Sequence, residues 1–186
     1  MNSSLILIGY RATGKTTLAR LLAERLNALW YDSDLLIERR VGKSIARIFA
    51  EEGEPTFRDW EAEEVKKIVL DSQQAGQQIV LATGGGVILR ESTRVFLKKH
   101  GFVVWLTASK ETIYRRMIQD VTTAERRPDL TNLPAEEEIA LLLEKRKPLY
   151  EETANLIVDT EKGTLEYLVE TILEKVKKTC DRRGES

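Results

Sequence analysis

The sequence predicts an α/β fold, a parallel β-sheet covered by helices on both faces, and three observations predict it. Short apolar runs alternate with stretches of helical periodicity from residue 5 to residue 178. The connections are short, and neither an internal repeat nor a linker interrupts the alternation. Glycines and carboxylates gather just after the apolar runs, at the strand ends where open α/β sheets bind ligands.

Leu5, Ile6, Leu7 and Ile8 form the first strand, and residues 17–26 repeat apolar side chains at helical spacing. Between them Gly9, Gly14, Lys15 and Thr16 occupy the fixed positions of the G-x-x-x-x-G-K-[ST] phosphate-binding pattern. A loop placed there aims its N–H groups and the positive end of a helix at a polyphosphate. Lys15 is then expected to reach the β- and γ-phosphates, and Thr16 to offer a hydroxyl to Mg²⁺. The bland alternative, a glycine-containing turn before a helical lysine, is disfavoured because both flanks are correct. The motif predicts a nucleoside triphosphate and is silent about the acceptor.

Residues 29–31 read as a second strand leading to Asp32, Ser33 and Asp34, and residues 35–40 begin a helix. Either aspartate could serve a ligand, or Asp34 could be only an N-cap and Asp32 a solvated strand end. Ser44 caps a short helix ended by Gly53, and Pro55 opens a longer one through residue 70. Arg58 and Glu61 stand at i, i+3 in that helix, a spacing equally consistent with a surface ion pair. Residues 78–82 make a third strand that runs into Gly84, Gly85 and Gly86. Three successive glycines are costly to order, which favours close approach by a ligand over a plain reversal.

Helix 91–99 ends at His100 and Gly101, and residues 102–106 are the fourth strand. The only histidine reads as a cap, and one histidine with one cysteine makes a zinc site implausible. Ser109 caps a helix bearing Arg115 and Arg116. A polar stretch at 118–132 with Arg126, Arg127 and Pro128 reads as a surface loop or as a closing lid. Pro134 opens a helix that carries Arg146, residues 156–158 are the fifth strand, and the last helix spans 164–178. One domain over 1–178 is expected, with 33–75 as its acceptor-binding helical region and 179–186 as a disordered tail.

Composition excludes several classes. Hydrophobic residues are 42% and charged residues 32% of 186, and 29 basic side chains face 30 acidic ones. A net charge of −1 gives no global attraction for nucleic acid or an anionic membrane, so affinity for anions must be local. No apolar run approaches the roughly twenty residues of a membrane span. Cys180 has no intrachain partner for a disulfide. A cytoplasmic protein, monomeric and without nucleic-acid or membrane partners, is expected.

The ordered set of motifs closely resembles shikimate kinase, a small P-loop kinase family. Gly9 to Thr16, Asp32 to Asp34, Phe57 and Arg58 with Glu61, Gly84 to Gly86, Arg127 with Pro128, and Arg146 to Tyr150 come in the family's order. The resemblance implies a three-layer α/β/α P-loop kinase fold with a five-stranded parallel sheet in the order 2-3-1-4-5. It implies ATP and shikimate as substrates, with Mg²⁺ held by Thr16 and Asp32. By the same resemblance Ala12, Thr13, Gly14 and Thr17 accompany Gly9, Lys15 and Thr16 around the phosphates, and Arg116 lies against adenine. Lys15, Asp34 and Arg127 are implied as catalytic: Lys15 on the transferred phosphate, Asp34 orienting or deprotonating the attacking hydroxyl, Arg127 neutralising developing charge. Arg58 and Arg146 would clamp the substrate carboxylate, and the backbone of Gly84, Gly85 and Gly86 would approach the ring hydroxyls.

The family commonly has a further glycine inside the loop where this chain has Ala12 and Thr13. At the C-terminal turn, residues 160–164, no residue stands out for adenine. Rival readings are a gluconate or nucleotide kinase and, from another class, a nucleotide-binding regulator. Asp34, Arg58 and Arg146 together favour an acidic polyol, and a regulator needs neither an acceptor-side carboxylate nor an arginine lid.

Overall fold

The computed structural model describes residues 4–119, 131 and 133–184. Five strands, β1 (Ser4–Ile8), β2 (Leu29–Asp32), β3 (Ile79–Ala82), β4 (Gly101–Thr107) and β5 (Leu156–Asp159), make one sheet in the order β2-β3-β1-β4-β5. Every pairing is parallel, with Leu5 opposite Val80 and Phe102, Asp32 opposite Ala82, and Val104 opposite Leu156. The helices are α1 (Lys15–Leu26), α2 (Ser33–Val41), α3 (Ile45–Gln74), α4 (Glu91–His100), α5 (Lys110–Gln119), α6 (Ala135–Thr153) and α7 (Leu165–Gly184). Fold and strand order are those the sequence predicts.

Strand periodicity divides the core into two layers. Leu5, Leu7, Val80, Val104 and Leu106 pack with Leu18 and Leu22 of α1 and with Leu168 and Ile172 of α7. Ile6, Ile8, Leu81, Val103 and Trp105 point the other way, onto Val65 and Val69 of α3, Leu97 of α4 and Tyr150 of α6. Both faces of each central strand are therefore apolar, which is why these strands read as unbroken hydrophobic runs. Two smaller clusters build the site: Ile37, Ile45, Ile48 and Phe57 hold α2 to α3, and Tyr10, Ile113 and Ile139 hold the loop after β1 to α5 and α6.

One expected break is present and one boundary differs from expectation. The segments before and after Gly53 are two helices joined across a kink, as expected, with Gly53 at the non-helical φ 83 and ψ 160. Pro55 directly follows that kink, so its missing N–H falls in a turn already broken. The last helix continues past residue 178 to Gly184, where a disordered tail was expected. No helix among the described residues is long and apolar enough to cross a membrane.

Candidate active site

The loop after β1 is shaped by backbone conformation. Gly14 caps α1 with φ 88, a left-handed angle that L side chains avoid. Gly9 follows β1 with φ 145, a positive angle that L side chains rarely adopt, and a Cβ there would overlap the Leu106 carbonyl oxygen. Ala12 has φ 60, so the alanine occupies a left-handed position that suits glycine. Thr13 Oγ1 donates to Tyr10 O at 2.8 Å, while Lys15 Nζ donates to Gly9 O at 3.0 Å and Tyr10 O at 2.8 Å. The ammonium is thus turned inward across the loop. A cavity borders these residues, with Thr16, Thr17, Asp32, Arg116 and Thr160 in its walls.

Thr16 Oγ1 donates to Asp32 Oδ2 at 2.6 Å. The other carboxylate oxygen of Asp32 accepts from Asp34 N at 3.1 Å and Leu35 N at 3.3 Å, so Asp32 is the N-cap of α2. Sequence spacing offered that role to Asp34; the helix starts two residues earlier, at Ser33, so the cap falls to Asp32. Arg116 reaches from α5 to Ala12 O at 3.3 Å and Thr160 Oγ1 at 3.1 Å, which ties the loop to the turn after β5. Its neighbour Arg115 instead bonds Thr112 Oγ1 at 3.2 Å within α5.

A second cavity lies on the other side of the loop, lined by Tyr10, Arg11, Asp34, Phe57, Arg58, Glu61, Gly84, Gly85, Gly86 and Arg146. Its walls are charged yet buried. Arg58 Nη1 meets Glu61 Oε2 at 2.8 Å, and Arg58 Nη2 meets Glu54 Oε1 at 2.9 Å. Burial works against the Arg58 charge, but Glu61 and Glu54 outweigh it and hold its pKa above the ordinary value. Burial pushes the Glu61 carboxyl up to about 7, with the Arg58 cation pulling the other way and Asp34 adding to the rise. Glu61 Oε1 is buried with no hydrogen-bond partner among the described residues.

Two of the three glycines owe their presence to these side chains. None of them has a left-handed φ. A Cβ on Gly84 would overlap the Glu61 and Asp34 carboxylates, and one on Gly86 would overlap the Arg58 guanidinium. Gly85 packs against the phosphate loop, where a Cβ would come within 3.3 Å of Arg11 N. The carbonyl of Gly85 accepts from Arg146 Nη1 at 3.2 Å and from Tyr150 Oη at 2.6 Å. Ser33 Oγ, buried, accepts from Gly84 N at 3.2 Å. The sequence suggested close approach by a ligand at these glycines, and all three line the cavity together with the protein's own acid and base groups.

A phosphate loop and a cavity of buried arginines and carboxylates thus share one wall. A sequence model of the shikimate kinase family matches residues 11–177. The chain belongs to the shikimate kinase family. Curated relatives named shikimate kinase include one from Rhodopirellula baltica, 40% identical over 91% of this chain and 88% of its own length. One from Pseudomonas putida is 41% identical over 96% of this chain and 99% of its own. Among solved structures, a shikimate kinase from Acinetobacter baumannii in complex with shikimate superposes with a TM-score of 0.85 at 36% identity, covering 95% of this chain and 94% of that one.

Apart from Gly9, which lines neither cavity, and Arg127, the site residues expected from the family motifs fall into the two cavities. Ala12, Thr13, Gly14, Lys15, Thr16, Thr17, Asp32 and Arg116 line the first, while Asp34, Arg58, Gly84, Gly85, Gly86 and Arg146 line the second. Arg127 and most of 118–132 lie outside the described residues. Sequence reasoning missed Arg11 and Tyr10, which fill variable positions of the loop motif, and Thr160, which meets Arg116 from the turn after β5. It also left Glu61 as a possible surface pair, although its side chain is 3% exposed.

Proposed function

We propose that the protein transfers the γ-phosphoryl group of ATP to the 3-hydroxyl of shikimate, giving shikimate 3-phosphate and ADP. The observation that carries this reading is the shared wall: Gly85 packs on Arg11 N, so the phosphate loop and the carboxylate-lined cavity meet at one seam. Phosphoryl transfer asks for positioning and positive charge more than covalent help. Arg58 and Arg146 present guanidinium groups suited to a planar carboxylate, and Asp34, which lines the same cavity, would orient or deprotonate the attacking hydroxyl. Lys15 and Arg116 both line the donor cavity, where Lys15 would serve the transferred phosphate and Arg116 the adenine end.

Thr16 Oγ1 and Asp32 Oδ2, 2.6 Å apart, are the oxygens that would hold Mg²⁺, a hard cation that takes few protein ligands beside phosphates and waters and supplies charge neutralisation there. Arg127 is assigned by sequence resemblance to the charge developing on the γ-phosphoryl group. The proposal extends to a cytoplasmic monomer, in keeping with the balanced charge and single cysteine of the chain.

The test measures ADP release with Mg-ATP and, in turn, shikimate, quinate, gluconate and nucleoside monophosphates. Release dependent on shikimate is expected. Release only with gluconate or a nucleotide would end the reading, and ATP binding with no acceptor-dependent release would replace it with a regulatory one.

A further inference from the structure

Arg11 belongs to the phosphate loop, yet it lines the acceptor cavity with Asp34, Arg58 and Arg146. A guanidinium so close to a polyphosphate site has a strong competing partner, since phosphate oxygens take its forked donors two at a time. What opposes that pull is Glu138, in the first turn of α6. Its side chain is 1% exposed, and its Oε1 takes Arg11 Nη2 at 2.5 Å. Its Oε2 accepts from Thr131 N at 2.7 Å and Thr131 Oγ1 at 3.0 Å. A carboxylate this deeply buried is tolerable only with such compensation. Farther along α6, Arg146 and Tyr150 both donate to Gly85 O, and Gly85 packs on the Arg11 backbone. One helix therefore grips the loop twice, through its backbone neighbour and through its arginine.

We infer that Glu138 is a positioning residue for Arg11, holding that guanidinium on the acceptor side of the phosphate loop and away from the triphosphate. The inference rests on reading this cavity as the acceptor's. A pair that only braced the fold would, when broken, weaken both ligands together. A pair that assigns Arg11 to one ligand moves the two affinities in opposite directions.

The experiment compares Glu138→Gln, Arg11→Met and the double variant in the full chain, with shikimate KM from ADP release and ATP Kd from calorimetry without acceptor. For Glu138→Gln the shikimate KM should rise about tenfold while ATP binds at least about threefold tighter, as a charge-assisted pair is handed from one partner to another. Arg11→Met should raise the shikimate KM with ATP Kd within about twofold, and the double variant should bind ATP as Arg11→Met does. Any other pairing of the two changes in Glu138→Gln overturns the inference. Should Glu138→Gln not fold, Arg11→Met decides, and a shikimate KM within about twofold of wild type overturns it. The calorimetric arm needs no acceptor, so wild-type inactivity on shikimate would sink the substrate reading alone.

Discussion

The donor cavity is shaped mainly by backbone and the acceptor cavity by buried side chains, and the two ask different things of the same residue type. Gly14 is glycine because its φ is left-handed, with open space where a Cβ would stand. Gly84 and Gly86 have ordinary φ values and are glycine because carboxylates and a guanidinium occupy that space. At Gly14 the donor side is therefore sensitive to local conformation and tolerant in volume, whereas at Gly9 the Leu106 carbonyl also limits volume. The acceptor side is an overdetermined set of charges in which any added atom displaces a working group.

Substitutions on each side break this comparison in distinct ways. The largest expected effect is at Lys15: Lys15→Ala should lower kcat/KM for ATP by about a thousandfold, the scale of a lost charge at the transferring group, with shikimate binding retained. Equal loss of shikimate affinity in calorimetry would deny the separation of the two sides. Next is Gly86→Ala, which should push Arg58 out of place, cost about 1–3 kcal/mol by overpacking and raise the shikimate KM about tenfold. Thermal melts and steady-state kinetics check it, and an unchanged shikimate KM would show that Arg58 has slack.

A pH effect should follow from Glu61. Folded, this carboxyl holds its proton up to about 7, whereas in the unfolded chain it gives it up near the ordinary 4.5. The native state thus binds more protons between those values, so this group's contribution makes stability fall as pH rises through that window. Glu61→Gln should flatten that part of the melting-temperature profile, and an identical slope in both proteins would contradict the shift. The smallest effect is expected on the donor side: Ala12→Gly relieves a left-handed alanine and should add about 0.5–1 kcal/mol, or about 2 °C in Tm. A lower Tm for Ala12→Gly would show that the loop gains more from alanine's stiffness than it loses to strain.

Legibility in the sequence follows the same division. The phosphate loop and the alternation of strands and helices rest on short-range spacing, so both were readable, including the strand order once the family resemblance was drawn. Asp34, Arg58, the three glycines and Arg146 were readable only as an ordered set. The contacts that complete the acceptor wall were not readable. Arg11 and Glu138 are 127 positions apart, and no local period announces such a pair. The i, i+3 spacing of Arg58 and Glu61 predicted their meeting but not their burial, because burial depends on α3 packing under Gly84 and Gly86. The choice between Asp32 and Asp34 as helix cap likewise turned on the register of β2 against α2, which composition does not encode.

The central claim is that one seam joins a donor site to a separate acceptor site whose attacking hydroxyl is managed by Asp34. Asp34→Asn tests it most directly, with turnover from ADP release and ATP Kd from calorimetry on the same preparation. Turnover with shikimate should fall by about a thousandfold or more while ATP Kd stays within about twofold. Near-normal turnover, or a loss of ATP affinity that matches the loss of rate, would contradict the claim.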